Sequence, residues 1–455
     1  MSSLFGAMSI ALRSMLIQQS AISVTANNVS NINTEGYSRQ RADLVEADAV
    51  FDGNHMVGTG VKLDDIVSLR DRVLELRLQQ EKQQQGSLGA QVGALQDVET
   101  LFSADAANIG DSINSFFNSL SELSTNAASI PLRQSVMMSG NNLSSIFRNS
   151  ASTLQQRQFS LDLDIQQSVQ QINEMTAQIA ELNKKIATSA HGSEMGSFED
   201  QRNILLQRLS EQIDNNVIIA DDGLAVTTKD GTALVLGGGA VPLSVGKRSN
   251  GATRIFSGTE DITDSIRNGK LAGFLRVREQ VIPGILSDLD TLAGNIASAV
   301  NNIQHQGIDL NGNPGGDFFA APPPGNVGAA AAFQLNLHSP QELAASLDGT
   351  LGDNANVNAI LALRTQNFVQ GSSPADFYSK LTFNLGSELL NAKSELNASE
   401  LVMGQLADQR GAISAVSLDE EAANLIRYQR AFEAAARVLS VLSDLTDISV
   451  HLGSN

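Results

Sequence analysis

The sequence predicts a mainly α-helical protein that carries one small β domain inserted in its helical body. Three observations support this prediction. Both ends of the chain carry apolar stripes with a period of 3.5 residues, a heptad pattern runs through the interior, and one short segment has β-like runs separated by glycine turns. At 455 residues, the chain is long enough for two to four domains.

Residues 4–32 predict one amphipathic helix, because apolar side chains recur at alternating spacings of four and three. Arg13 is the only charged residue up to Ser30. A surface helix usually has a charged outer face, so we predict that this uncharged face is also a contact surface. The alternative is that the helix only completes the core of one domain. The stripe contains Met8, Leu12, Met15, Ile22, Ala26 and Val29.

The C-terminal segment repeats this spacing and predicts a second helix. Ser417 and Glu420 have the spacing of a capping box, and the acidic run Asp419 to Glu421 complements the dipole at a helix start. Isolated helices of this kind are marginal in water, so we expect the two terminal helices to pair as an antiparallel coiled coil and then to contact other copies. The stripe contains Leu418, Ala422, Leu425, Phe432, Ala436, Leu439 and Leu442.

The interior predicts a long-helix bundle. Apolar residues keep a heptad seam from Leu154 to Ile186, and residues 271–304 and 376–410 also have helical patterns. Residues 216–257 differ, because short β-like runs alternate there with turns such as Asp222-Gly223. A break follows from Asp309 to Ser339, with one strand expected near Phe333–Leu337.

We therefore expect three nested, discontinuous domains. Residues 1–35 with 411–455 form a terminal coiled-coil domain (D0), and residues 36–215 with 258–410 form the helical body (D1). Residues 216–257 form a small β-rich outer domain (D2), to which one alternative adds residues 318–340.

Composition excludes several functional classes. The chain has no cysteine, which excludes disulfide scaffolds, thiolate metal sites and cysteine nucleophiles. Its net charge of -19 opposes nucleic-acid binding, and no apolar run is long enough to span a membrane. Met1 to Arg13 lack a basic stretch ahead of an apolar one, so we expect no cleaved secretory signal.

No catalytic, cofactor-binding or metal-binding set is apparent. Asp309 to Asp317 resembles the start of a calcium loop, but Pro314 and Ala320 occupy the places where an EF-hand needs Gly and Glu. We interpret this segment as a turn whose side chains bond to their own backbone. The histidines are not clustered, and Gly237-Gly238-Gly239 is not a phosphate-binding loop.

One string is recognisable. Residues 26–40, with the sequence ANNVSNINTEGYSRQ, resemble the N-terminal signature of the bacterial flagellar axial proteins, which include rod, hook and hook-associated proteins. In this pattern the Asn cluster ends a helix, and Gly36 permits a turn before an extended segment. The motif residues are Asn27, Asn28, Asn31, Gly36, Tyr37, Arg39 and Gln40.

Further stretches narrow the resemblance to the FlgK family of hook-associated proteins. Residues 198–206, 268–278, 302–319, 352–356 and 417–421 are similar to segments of that family, so the match is spread over nearly the whole chain. Asn203 and Phe274 depart from the residues usual in the family, and neither affects the assignment.

The resemblance implies a structural, non-enzymatic protein without a cofactor, which forms the first junction ring between hook and filament and is required for filament assembly. It implies a ring of about eleven copies that contacts the hook protein and hook-associated protein 3. It also implies secretion to the extracellular flagellum by the type III apparatus, with a FlgN-like chaperone on the C-terminal helix. It implies neither nucleic-acid nor membrane partners.

Two alternatives remain open from the sequence. The chain is another axial protein, such as hook-associated protein 3, a hook protein or a rod protein, or its outer surface has an adhesion role. The signature at Gly36 to Gln40 argues against hook-associated protein 3, and the Asp309–Phe319 segment argues against hook and rod proteins.

Overall fold

The computed structural model describes residues 2–34, 36–52, 55–102, 108–188, 193–220, 223–248 and 251–453. Met1, Glu35 and Asp222, which belong to predictions made above, lie outside these residues. The described part is mainly α-helical with small antiparallel sheets, which confirms the predicted fold class. Within it, no helix is both long enough and apolar enough to cross a membrane.

The elements follow one another along the chain with a π-helical turn, Val277–Val281, between the sixth and seventh helices. The helices are α1 (Ser2–Ser30), α2 (Arg72–Glu99), α3 (Ile109–Thr125), α4 (Ile130–Thr188), α5 (Ser193–Gln212), α6 (Gly269–Arg276), α7 (Ile282–Gln304), α8 (Ala329–Ala332), α9 (Ala355–Ala362), α10 (Pro374–Ser414) and α11 (Leu418–Gly453). The strands are β1 (Gln40–Glu46), β2 (Val50–Asp52), β3 (His55–Val57), β4 (Val61–Ser68), β5 (Asn216–Ala220), β6 (Gly223–Thr227), β7 (Ala233–Leu236), β8 (Gly239–Ala240), β9 (Leu243–Lys247), β10 (Thr253–Ser257) and β11 (Glu260–Asp261).

The terminal helices α1 and α11 pack side by side in opposite directions. Near the end of α1, the Asn28 amide donates to Glu421 at the start of α11, with 3.2 Å between Nδ2 and Oε2. Near the other end, the Thr446 hydroxyl lies 3.6 Å from the Met8 sulfur. The predicted antiparallel pairing is therefore confirmed.

A narrow sheet of β1 and β4 lies along α1, and the sequence analysis did not predict it. Gln40 at one end of the sheet bonds to Asn28, while Gly60 at the other end lies against Ile10. Between residues 10 and 28 the axis of α1 rises about 27 Å, and a strand of seven residues such as β1 spans ~23 Å. The sheet and this part of α1 are therefore similar in length. Charged residues interrupt the alternation in both strands, and that is why the pattern was missed.

The helical body is built around α4, which is 59 residues long. Its first half packs with α2, α3, α7 and α10 around a large apolar core. At the centre of this core, the Phe319 ring stacks on Phe333 at 4.5 Å and meets Phe116 at 5.6 Å between centroids. The helices predicted at 376–410 and 271–304 are confirmed, although the π-helical turn interrupts the second.

The second half of α4 supports the β-rich segment. The sheets β5-β6-β7-β8 and β9-β10-β11 share a separate apolar core with α4 and α5. Arg278, in the π-helical turn, donates to Asp162 of α4 at 2.7 Å, and Lys247 of β9 reaches the same carboxylate at 2.9 Å. The strands predicted within 216–257 are confirmed, and the pairing extends to Asp261.

The segment after α7 differs in part from its prediction. The Asp309 carboxylate accepts from the backbone N–H of Asn311 and of Asn313, both at 2.8 Å, which confirms the turn interpretation. The prediction of a strand near Phe333–Leu337 is wrong, because Leu335 forms only an isolated β-bridge with Phe319. Residues 328–333 instead include the short helix α8. The Asp290 carboxylate accepts hydrogen bonds from the backbone N–H groups of Gly328 and Ala330.

Candidate assembly site

A polar cluster lies where the terminal helix pair meets the body. It forms because the chain between α1 and β1 turns back beside the start of α11 and the first turns of α5. We call it the junction cluster, and it consists of Asn28, Tyr37, Ser38, Arg39, Gln40, Arg70, Asp200, Glu420 and Glu421.

Asn28 is the centre of this cluster. Its buried amide donates to the Gln40 carbonyl at 2.8 Å and to Glu421 at 3.2 Å. Its oxygen accepts from the Tyr37 hydroxyl at 2.7 Å and from the Gln40 backbone N–H at 2.9 Å. Both donors and both acceptor sites of the amide are therefore used, which is the condition for burying such a group without a penalty.

Arg39 connects the motif to the C-terminal helix. Its Nε donates to Glu421 at 2.7 Å, and its Nη1 donates to Glu420. Burial lowers the pKa of Arg39, but the hydrogen bonds to Glu420 and Glu421 outweigh it and raise that pKa above its usual value. The Arg39 backbone N–H also donates to the Ser414 carbonyl at 3.0 Å, so the link does not depend on charge alone.

A second ion pair connects the motif to the body. The Arg70 guanidinium pairs with Asp200 of α5 and donates from Nε to the Ser38 hydroxyl at 2.9 Å. Burial raises the pKa of Asp200 even though Arg70 opposes this change. Burial, followed by the charges of Asp200 and Glu421, raises the pKa of the Tyr37 hydroxyl to about 12, so Tyr37 remains a proton donor.

The turn before this cluster requires glycine. Gly36 has a φ of +76°, in the left-handed region that favours glycine. A Cβ there would also lie 2.5 Å from Cγ1 of Ile204. Before the turn, the Asn31 side chain donates to the Asn27 carbonyl at 3.0 Å and helps to end α1.

All seven motif residues predicted from the sequence lie in or beside the junction cluster, but their partners were missed. The acidic run at 419–421 was assigned to the helix dipole alone. Glu421 is in fact 2% exposed and bonded to two motif residues. An acidic residue that is fully buried needs a cationic partner, but the sequence does not show which residue will be buried.

Only part of the stripe predicted on α1 is covered within the single copy, where Met8 lies against Thr446 of α11. Leu12, Ala26 and Val29 are exposed, while Met8, Met15 and Ile22 are half-buried. The buried face of α1 lies one position away, and it also has a period of 3.5 because α1 is apolar on two faces. The residues buried there are Ala11, Ile17, Ala21, Val24, Thr25 and Asn28.

The stripe predicted on α11 agrees better with the packing. Its first two residues, Leu418 and Ala422, are exposed and do not belong to the seam. The other five residues are half-buried, on the side of α11 that also carries Glu421 and Thr446. They are Leu425, Phe432, Ala436, Leu439 and Leu442.

The arrangement acts as a structural clamp. Within the described residues, no group of three acidic or histidine side chains is placed to hold a metal ion. The charged groups of the cluster bond to one another and join α1, α5 and α11. Such buried, mutually bonded polar groups fix one relative position of the elements they join.

Comparison with protein families supports a flagellar assignment. Residues 95–319 match the model of the "Flagellar hook-associated protein FlgK helical domain". Residues 409–450 match "Flagellar basal body rod FlgEFG protein C-terminal", and residues 8–37 match "Flagella basal body rod protein". The two rod-type matches fall on the terminal helices.

Relatives that match nearly the whole chain support the same flagellar assignment. Flagellar hook-associated protein 1 of Bacillus subtilis (strain 168) is 29% identical over 503 positions, covering 98% of both chains. The protein of the same name from Escherichia coli (strain K12) is 24% identical, covering 95% of this chain and 97% of that protein. A solved structure, the flagellar hook junction protein FlgK from Burkholderia pseudomallei, has the same fold with a TM-score of 0.67 at 16% identity, covering 75% of this chain and all of that one. The chain is thus similar over nearly its whole length to flagellar hook-associated protein 1 (FlgK), and these matches support a structural role at the hook–filament junction.

Proposed function

We propose that this protein forms the first junction ring between the flagellar hook and the filament and is required for filament assembly. Besides these matches, one observation carries the proposal. The helix pair α1 and α11 leaves a large apolar surface uncovered in the single copy. Surfaces of this kind mark protein–protein contacts.

The uncovered surface lies on both terminal helices. On α1, Leu12 is 49% and Leu16 is 55% exposed. On α11, Val438, Val441 and Ile448 are likewise exposed along the outer side. Burial of these side chains against neighbouring copies stabilises assembly by roughly 1.5–3 kcal/mol for each fully buried residue, before the entropic cost of association.

The proposal assigns a position in the ring to each predicted interface stripe and domain. The residues of the α1 stripe that are not buried by α11 contact neighbouring copies, as do the exposed Leu418 and Ala422 of the α11 stripe. The five half-buried residues of the α11 stripe hold the pair together. The coiled-coil domain of residues 1–35 and 411–455 faces the centre of the ring. The body and the β-rich residues 216–257 face outward, with the junction cluster between them.

The proposed partners follow from the family. The ring contains about eleven copies and contacts the hook protein below and hook-associated protein 3 above. A FlgN-like chaperone covers the apolar side of α11 before export. The type III apparatus exports the chain unfolded, and a chain without cysteine cannot cross-link on the way. No catalytic step is part of the proposal.

The test is cryo-electron microscopy of hook tips from cells with and without this gene. We expect a ring at the distal end of the hook in which the terminal helices line the channel. We also expect cells without the gene to have hooks but no filaments, and to secrete filament subunits into the medium. Normal filaments in those cells would refute the proposal.

A further inference from the structure

The charged residues of α11 form three blocks along the helix. An acidic block at 419–421 begins the helix, a basic block follows at 427–437, and Asp444 and Asp447 form a second acidic block. The basic block includes one acidic residue, Glu433, so its formal net charge is +2, and that of the second acidic block is -2. The three arginines of the basic block are Arg427, Arg430 and Arg437.

The basic block and the second acidic block have no ionic partner within the single copy. Arg39 of the junction cluster pairs with two carboxylates of the first acidic block. The charged residues from Arg430 to Asp447 are all exposed, and none of them forms an ion pair with any described residue. Arg427 is exposed and donates to a neutral group, the Tyr428 hydroxyl, at 3.1 Å. Arg13, the one charged residue of α1, is also exposed and forms no ion pair with the second acidic block.

One axial shift between two parallel copies of α11 brings opposite charges level with each other. We call Arg427 and Arg430 the arginine pair, and Asp444 and Asp447 the aspartate pair; their members are 17 residues apart in the same order. A shift of 17 residues joins three opposite charges, no other parallel shift joins more than two, and no two like charges of α11 are 17 residues apart. The residues joined are Arg427 with Asp444, Arg430 with Asp447, and Glu420, which also pairs with Arg39, with Arg437.

The geometry of a helix makes this contact repeatable. The arginine pair and the aspartate pair lie about 100° apart around α11, so they face different neighbours. A shift of 17 residues is about 26 Å along the axis, which leaves about half of the 36-residue helix in contact. At this shift the exposed Ile426 of one copy lies level with the residues between Val441 and Leu445 of the next, which are exposed apolar side chains. Apolar contact and opposite charge therefore occur in the same register.

We propose that α11 of one copy packs parallel to α11 of the next copy, displaced by about 26 Å, so that the arginine pair of one meets the aspartate pair of the other. The charges set the axial register, and the apolar side chains between them supply buried area. The contact joins two different faces, so it is head-to-tail, and copies displaced along the axis form a helical ring. The inference rests on the proposed function and assigns it the register between copies.

Charge reversal in the full-length protein, produced in cells that lack the native gene, tests the register. Arg427→Glu with Arg430→Glu places like charges at the contact, so we expect at least about ten-fold fewer filaments per cell. Asp444→Arg with Asp447→Arg should have the same effect. A chain with all four changes restores opposite charges between copies, and we expect filaments to return.

The matched control combines the reversed arginine pair with Asp419→Arg and Glu433→Arg, two exposed positions without a charged partner at this shift. It has the same net charge as the four-residue swap, and we expect no filaments to return. Normal filaments from either two-residue reversal, no recovery in the swap, or equal recovery in swap and control would overturn the register and leave the ring proposal intact.

Cross-linking measures the register without any change of charge. The chain has no cysteine, so every cross-link comes from an introduced residue. Full-length Ala423→Cys and Ser440→Cys variants, exposed and 17 residues apart, are co-produced, and purified hook ends are treated with a short bis-maleimide. We expect at least about ten-fold more mixed dimer than from Ala423→Cys with the exposed Ser449→Cys, because the reagent joins thiols that are held close together.

The two proposals fail in different ways in this experiment. Equal yields, or no dimer while both variants are present in the hook ends, would overturn the register alone. Absence of the native protein from hook ends would overturn the ring proposal and the register with it.

Discussion

At the scale of single residues, the junction cluster shows how a few polar side chains hold two parts of the molecule together. Asn28 has every hydrogen-bonding site filled, and Glu421 bonds to both Asn28 and Arg39. Loss of one member leaves its partners buried and unsatisfied, which costs more than the bond itself contributes.

The first prediction concerns Glu421. Glu421→Ala removes the acceptor of one Asn28 amide proton and of the Arg39 Nε, so we expect the terminal pair to lose about 2–4 kcal/mol of stability. The matched control is Glu420→Ala, at a side chain that is 62% exposed, for which we expect less than about 1 kcal/mol. Hydrogen exchange of residues 418–430 measures both losses. Equal losses would show that burial of Glu421 is unimportant.

The second prediction concerns pH. Burial raises the pKa of Asp214 to about 6, and the Arg267 backbone N–H, at 3.2 Å, only partly opposes this. The folded state therefore binds an extra proton between about pH 4 and pH 6, and stability falls as pH rises through this window. The loss above pH 7 is about 3 kcal/mol.

Asp214→Asn removes this titration. We expect the variant to be more stable than the native protein at pH 7.5 and similar to it at pH 4.5. Denaturant unfolding of both proteins at the two pH values measures the difference. The same pH dependence in both proteins would mean that Asp214 keeps an ordinary pKa in the folded state.

At the scale of elements, α1 has two apolar faces with different tasks. One face, which includes Ile17 and Ala21, is buried in the single copy. The other, which includes Leu12 and Leu16, is exposed, and we assign it to contacts between copies. A substitution on each face should therefore have a different effect.

The third prediction uses this difference. Leu12→Gln combined with Leu16→Gln should change folding stability by less than about 0.5 kcal/mol, since both side chains are exposed. We expect this variant to fold and to be exported but not to support filaments. Ile17→Gln buries a polar group and should lower stability by about 2–4 kcal/mol. Circular dichroism, export and motility assays compare the two variants. Normal motility of the double variant would refute the contact.

At the scale of the whole molecule, the body does not depend on the terminal helices for its core. The two large apolar cores contain residues between Val92 and Ala392, and none from α1 or α11. The terminal pair meets the rest of the chain through the β1–β4 sheet and the junction cluster.

The fourth prediction follows from this separation. Deletion of residues 1–35 or 411–455 should leave a soluble, folded body, because neither core loses a residue. The truncated chain should not enter the junction, because it lacks the proposed contact surface. Proteolysis and circular dichroism report on folding, and filament growth reports on assembly. Filament growth from either truncated chain would contradict the assembly role of the terminal helices.

Local patterns predicted the helices well and the irregular parts less well. The heptad seam of α4 and the β-like runs after residue 216 depend on periodicity, and the structure confirms both. The sheet of β1 and β4 was not predicted, because its strands lack a regular alternation of apolar and polar residues. The two strands pack against α1. The signature at residues 26–40 located the junction cluster, but it did not identify Arg70, Asp200 or Glu421 as partners.

The fold class, the helix pattern, the family and the position of the motif could all be read from the order of residues, because each depends on neighbours within a few turns of chain. Only the tertiary structure decided which apolar face of α1 is buried and which acidic residue pairs with Arg39. Each of these depends on residues far apart in the chain. Glu421 and Arg39 are 382 positions apart, and only folding brings them within 2.7 Å.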